Sequence, residues 1–263
     1  MSILKYSGSV PENYDREYGP VLFTPYAKHF VQTLSAMEHL PPSPRVLELA
    51  CGTGRLTAEL VAHFSPGVRI LATDLSEPML GVARSRVEGN VEWRQADMQA
   101  LPLEDDSFDL VVAQFGLMLV PDRSRAVAEA SRVLARGGSL VFSVWSLNSA
   151  LQYIGVNTVL PFLEGVSAEG LESMRAAPFS MADTEKTVQL LQSHGFSDVS
   201  YETHSVTIDD VDAWSRGFVC GTGIGGNIPE HRREDAIAAL KTAYSSQRPA
   251  YSEALIYKAR KGR

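Results

Sequence analysis

The sequence predicts an α/β protein centred on a parallel, doubly wound sheet. Three observations predict it. Between Val46 and Trp145, short apolar runs alternate with helix-spaced segments. The first run, Val46 to Leu49, breaks into a Gly52-x-Gly54 turn that leads straight into a helix. Twenty residues past Gly54, a second run ends on an acid, Asp74. Glycines at such a turn let the chain bend sharply and let a ligand approach the main chain. The N-terminus of the next helix offers free N–H groups beside that approach. A carboxylate at the end of the second strand matches the two hydroxyls of a ribose. Together these features describe a nucleotide-type site.

The elements follow in order. Residues 11–20 are polar, tyrosine-rich and interrupted by Pro and Gly. With Tyr14, Phe23 and Tyr26 they read as a flap that packs on the core or closes over a ligand. From Tyr26 to Leu40 the apolar positions suit one helix face, and Pro41, Pro42 and Pro44 then force a non-helical link. After Asp74, Ser76 is placed to cap a helix with Pro78 in its first turn. Val91 to Gln95 alternates as a third strand, and Asp97-Met98 just beyond it suits an adenine, the acid accepting from the exocyclic amine and Met98 covering the ring. Leu110 to Phe115 is a fourth strand, and Asp122 caps a helix stopped at Arg136-Gly137-Gly138. Ser139 to Trp145 is the fifth strand.

At Asn148 the rhythm changes. Residues 149–182, with Tyr153, Ile154, Val159, Leu160 and Phe162, read as an insertion that caps the space beside the cofactor. The remainder resumes with a helix closed at Gly195, a strand from Val199 to Ile208, and a flexible loop holding the cluster Gly221 to Gly226. A helix over 232–244 and a strand from Ala254 to Ala259 end the series. The expected organisation is therefore 1–44 arm and helix, 45–148 cofactor-binding core, 149–182 cap insertion and 183–263 completion of the sheet.

Length and composition bound the rest. The 263 residues are 44% hydrophobic and 21% charged, enough for one large α/β domain. The net charge of −7 with no basic face excludes phosphate-driven nucleic-acid binding. No apolar run reaches the ~18 residues of a membrane span, and the opening residues lack the features of a secretory leader. A soluble, cytoplasmic protein without membrane partners is expected, as monomer or homodimer. Two cysteines and six scattered histidines form no metal-ligand spacing, and no metal is expected.

Two residues decide which nucleotide. A dinucleotide turn needs a third small residue where Thr57 stands, and Glu48, inside the strand, would repel a pyrophosphate. This disfavours a nicotinamide dehydrogenase and suits a ligand with an ammonium end. Glu48-x-Ala50-Cys51-Gly52-x-Gly54 followed by Asp74 resembles the signature of class I S-adenosylmethionine (SAM)-dependent methyltransferases. The runs ALPLEDDSFDLVV and RVLARGGSLVFSVW are similar to the ubiquinone/menaquinone-biosynthesis-type branch, which acts mainly on small molecules. The resemblance implies a Rossmann-like sheet of seven strands with only the last antiparallel, and SAM as cofactor. It implies Glu48 near the amino group of the methionine part, Gly52 and Gly54 against the cofactor, Asp74 on ribose, and Asp97 with Met98 at adenine. Tyr14, Ala50, Leu75, Met79 and Gln114 complete the expected cofactor set. Tyr14, Phe23, Phe115 and Tyr153 form the expected substrate set. The stretch Gln114 to Met118 carries no acid or histidine, so no base is assigned there. His29, His194 and His204 are of the residue type that can act as a base but read as ordinary histidines. The implied activity is methyl transfer to a small, largely apolar or aromatic acceptor. The alternative is a protein that binds SAM without transferring its methyl.

Overall fold

In the computed structural model, which describes residues 8–64, 66–246 and 251–262, the strands are β1 (Val46–Leu49), β2 (Ile70–Asp74), β3 (Val91–Gln95), β4 (Phe108–Gln114), β5 (Leu134–Trp145), β6 (Phe196–Thr207) and β7 (Tyr251–Lys261). They form one seven-stranded sheet in the order β3-β2-β1-β4-β5-β7-β6. Pairs from β3 to β5 are parallel, and β7 runs antiparallel to both β5 and β6. The Rossmann-like sheet implied by the glycine-turn signature is thus present, with its last strand reversed.

The continuous apolar character of the central strands has a direct cause: both faces are covered. Val46, Ile70, Leu110, Val112 and Val141 face a layer built by α2 (Thr24–Ser35) and α3 (Arg55–His63), against Ala27, Phe30, Leu34, Leu56 and Leu60. Leu47, Leu49, Val111, Ala113, Leu140 and Phe142 face the other layer, with Ala126, Val127 and Ala130 of α5 (Arg123–Val133). The remaining helices are α4 (Glu77–Arg86), α6 (Ala150–Val159), α7 (Ala168–Ala176), α8 (Thr184–Ser193), α9 (Val211–Gly221) and α10 (Arg233–Ser245). The helix starts read from sequence at Ser76 and Asp122 both carry side-chain caps, to Met79 N and Arg125 N.

Four expectations need correction. The N-terminal arm is not broken by its Gly and Pro. A short helix α1 (Val10–Asn13) continues through a π-helical stretch, Tyr14–Phe23, into α2. Pro20 donates no N–H and would crowd an α-helical turn; the wider turn accommodates it, with Thr24 N–H bonding to Gly19 O. Helix α5 does not run to Arg136-Gly137-Gly138, because β5 already begins at Leu134 and the irregular register beside Phe108 absorbs the glycines. The loop expected ahead of the glycine cluster is helix α9, capped by Asp210. There Gly217 and Gly221 lie on one face, where the arm's backbone at Tyr18 and Tyr14 packs directly against them. The basic residues near the C-terminus, whose sequence reads as a solvated end, are paired instead: Lys258 with Glu202 and Lys261 with Asp106. Residues 1–7, which bear on the reading of the opening segment, lie outside the described residues, as does Arg263.

Candidate active site

Strand order reverses between β1 and β4, and a crevice opens at the carboxyl ends of the strands. A cavity of about 590 Å³ occupies it. Ala50, which follows β1, and Phe115, which follows β4, line it, and both have left-handed backbone (φ 50° and 56°). Residues with a Cβ enter that region at a cost of ~1–2 kcal/mol, and such strain concentrates where chain must turn around a ligand.

On the β2–β3 side the wall carries Asp74, Leu75, Ser76, Met79, Asp97, Met98 and Gln99. The Asp74 carboxylate accepts from Gly52 N at 2.8 Å and from Ser76 N at 2.8 Å. It therefore organises the glycine turn as well as facing the cavity. Burial pushes its pKa up, opposed by the N–H groups of Ser76, Gly52 and Leu75. Asp97 accepts from Gln99 N at 2.8 Å, and the Gln99 oxygen in turn takes Asp122 N, so the loop after β3 is held by its own side chains. Among the described residues the cavity wall has these two acids and no Lys, Arg or His. His29 and His204 stack on each other and His194 bonds Ser124, all away from that wall.

The arm forms the other wall. Tyr14, Tyr18 and Phe23 line the cavity, Tyr14 stacks on Phe23 with centroids 4.9 Å apart, and Phe23 meets Phe115 edge-on at 5.6 Å. Phe115 stacks on Trp145 at 3.7 Å. Such ring contacts contribute about 0.5–1.5 kcal/mol each beyond area burial. Beside Tyr14, Asp15 ties the arm to the helices around the glycine turn: Arg55 Nη2 lies 2.6 Å and Arg86 Nε 3.3 Å from its Oδ1. Gln114 Nε2 donates to Phe23 O at 3.2 Å, while its Oε1 is buried without a hydrogen-bond partner.

Of the site residues read from sequence, Tyr14, Phe23, Ala50, Gly52, Asp74, Leu75, Met79, Asp97, Met98, Gln114 and Phe115 all meet in this one cavity. Three do not. Tyr153 is 39% exposed and stacks outward on Phe179; the same helix turns Gln152 and Val156 inward instead. Gly54 packs behind the turn against Val87, Ala83 and Trp93. Glu48 also lies behind the wall, 1% exposed, accepting from Thr57 Oγ1 at 2.6 Å. The position that argued against a dinucleotide therefore serves as the partner of this buried acid. Sequence reasoning missed Trp145, Met174, Phe218 and Ile224 as lining residues. For Phe218 a signal existed: Asp210 as a cap, then Trp214 and Phe218 at helical spacing.

Burial is the main cause that pushes the Glu48 pKa up to about 8. A pKa raised on folding gives stability that is complete below the unfolded value and lost as pH rises through the folded one. Wild-type stability is thus expected to fall between about pH 4.5 and 8 through this group, by a few kcal/mol at most. Glu48→Gln should flatten that decline. Thermal melts of both proteins across this range check it; parallel curves would show that Glu48 is not the group.

The model of the methyltransferase domain family matches residues 47–142. The demethylmenaquinone methyltransferase of Lactococcus lactis is 29% identical over 208 residues, 74% of this chain and 82% of the relative. The ubiquinone/menaquinone biosynthesis C-methyltransferase UbiE of Teredinibacter turnerae is 32% identical over 188 residues, 66% of this chain and 74% of the relative. The chain is a class I SAM-dependent methyltransferase of the UbiE type. Its fold is that of the YcgJ protein from Bacillus subtilis, with a TM-score of 0.61 at 17% identity over 89% of this chain and 99% of that one.

The methyltransferase uses SAM to methylate a small molecule. Bound SAM supplies an electrophilic methyl on a sulfonium and leaves as a neutral thioether. The residues present fit it. A Cβ on Gly52 would meet no protein atom within 4 Å, so the turn leaves room for a ligand at its backbone. The buried, unpartnered Gln114 oxygen offers an acceptor, and an acidic, aromatic wall suits a cation. No helix of the described residues is long and apolar enough to cross a membrane.

Proposed function

We propose that the acceptor is a small, largely apolar aromatic metabolite, held between the N-terminal arm and the helices that follow β5. One observation carries this reading: around the arm, α6, α7 and α9, the cavity is lined by Tyr14, Tyr18, Phe23, Met174, Phe218 and Ile224, with no charged side chain among the described residues. A phosphorylated or carboxylated acceptor would be buried there without a counter-ion, at a cost of several kcal/mol. The relatives' names, demethylmenaquinone methyltransferase and ubiquinone/menaquinone biosynthesis C-methyltransferase, put quinol-type rings first among candidates.

In this reading Asp74 holds the ribose, Leu75 and Met79 border the nucleoside, and Asp97 with Met98 holds the adenine. Ala50 and Gly52 flank the methionine part, and Gln114 accepts from its amino group. Tyr14, Phe23 and Phe115 border the methyl and the acceptor. Glu48 and Gly54 support the turn from behind. With no basic side chain at the acceptor end, the chain contributes positioning and exclusion of water. The helices of 149–182 form the roof, the cap role expected for that segment.

The test is transfer of labelled methyl from SAM to a panel of hydroxylated naphthalenes, catechols, amines and carboxylates. Incorporation into uncharged aromatic rings is expected, and preference for charged acceptors would overturn the reading. The ribose assignment has its own check. Asp74→Ala removes charge-assisted bonds worth ~1.5–3 kcal/mol each and frees Gly52 N and Ser76 N. SAM affinity should fall by about a hundredfold or more; calorimetry that finds it unchanged would exclude Asp74 from the site.

A further inference from the structure

We propose that Gln152 is the polar anchor of the acceptor, its carboxamide oxygen taking a hydrogen bond from a hydroxyl on an otherwise apolar ring. The inference rests on the reading of this cavity as the acceptor's site. It starts from the distribution of polar groups along the wall. Asp74, Ser76, Asp97 and Gln99 all stand on the β2–β3 side. Around α6, α7 and α9 the wall is apolar apart from the arm's tyrosines, Gln152 and Thr222.

Thr222 is already committed: its Oγ1 donates to Phe218 O at 2.6 Å and accepts from Gly225 N at 3.0 Å. Gln152 is not. It is 4% exposed and its amide nitrogen turns back to Ser252 Oγ at 3.5 Å, while no described residue takes up its carboxamide oxygen. An accepting oxygen left open to an apolar cavity is available to a ligand hydroxyl.

Its setting is rigid. Ser252 Oγ also meets Ser149 Oγ at 3.2 Å, Ser149 takes Glu253 N at 3.2 Å, and the Ser252 carbonyl accepts from Tyr26 OH at 2.6 Å. This buried network joins the start of α6 to β7 and α2, so the anchor, on α6, is tied to the sheet through Ser252. An acceptor fixed through Gln152 would keep its orientation while the arm closes over it, and a ring lacking the hydroxyl would leave the carboxamide unpaired.

The experiment measures binding, not turnover. Protein saturated with S-adenosylhomocysteine is titrated with 1-naphthol and with 1-methoxynaphthalene, which accepts but cannot donate, following fluorescence of Trp145 and the other tryptophans. Wild type should bind the naphthol about three- to tenfold more tightly, the worth of one neutral hydrogen bond. Gln152→Met should remove that preference with S-adenosylhomocysteine affinity unchanged. Gln152→Glu, which keeps an accepting oxygen, should retain it and serves as the second variant should the first not fold. Equal affinities in wild type, or a preference that survives Gln152→Met, would overturn the anchor while leaving the cavity's function intact. Failure of both rings to bind would overturn the acceptor-site reading and the anchor with it.

Discussion

Gly52→Val is expected to take SAM binding below detection while leaving a folded protein. At this turn φ is 55° and a Cβ would meet nothing of the protein within 4 Å, because it would project toward the cavity. The added side chain would occupy the space where ligand must approach the main chain, beside the N–H that Asp74 holds. Overpacking of this kind costs about 1–3 kcal/mol even in a core that can relax, and a rigid ligand relaxes less. Strained φ adds ~1–2 kcal/mol, borne by the fold. Gly54→Val, two residues on, should do the reverse. Its Cβ would lie 3.0 Å from Val87, 3.2 Å from Ala83 and 3.3 Å from Trp93, all behind the turn. That variant should lose several degrees of melting temperature, at about 2–4 °C per kcal/mol. Calorimetry and thermal melts separate the two. A folded Gly52→Val protein with wild-type SAM affinity would show that the cofactor does not cross this turn.

The second large effect is expected at the seat of the arm. A Cβ on Gly217 would fall 2.5 Å from Tyr18 Cβ and 2.7 Å from its Cα, and one on Gly221 would fall 2.7 Å from Tyr14 N and Cα. These are backbone contacts that no rotamer change relieves. Gly217→Val should therefore lift the arm and withdraw Tyr14, Tyr18 and Phe23 from the cavity. Labelled methyl transfer should drop by about a hundredfold or more, the scale of a 1 Å misplacement. The sheet does not depend on this contact, so far-UV circular dichroism should persist while amide exchange over residues 10–23 accelerates. Asp15→Asn, which loosens the ties to Arg55 and Arg86 without a clash, should give a milder version of the same pattern, roughly tenfold. Transfer within threefold of wild type in Gly217→Val would show that the arm is not needed over the site.

The β2–β3 side of the cavity was legible because its residues are set locally. Gly52, Asp74 and Asp97-Met98 each stand at a strand end, and parallel pairing of β1, β2 and β3 brings those ends together. A period-2 strand followed by a turn residue states in sequence where its last side chain will be. The side of the cavity toward the arm was not legible in that way. Its residues come from the arm, the start of α6, α7 and α9, which are far apart in the chain and meet through packing of the arm on α9 and of α6 on α7 and α9. Tyr153 illustrates the difference. Sequence marked an aromatic-rich segment, but helical phase decided that Gln152 and Val156 face inward and Tyr153 outward. Glu48 illustrates it again: an acid in an apolar strand announces a special role, yet only packing against Thr57 puts it behind the wall as a buried acid.

The sequence by itself therefore determined the sheet and the glycine turn, because these rest on strand patterning and on residues whose backbone demands are written in their type, and its motifs carried the resemblance to the family. Only the tertiary structure decided that Pro20 sits inside a continuous helix, that two glycines of α9 seat the arm, and which side chains line the cavity. Those outcomes depend on helical phase and on contacts between distant segments, which no local pattern encodes.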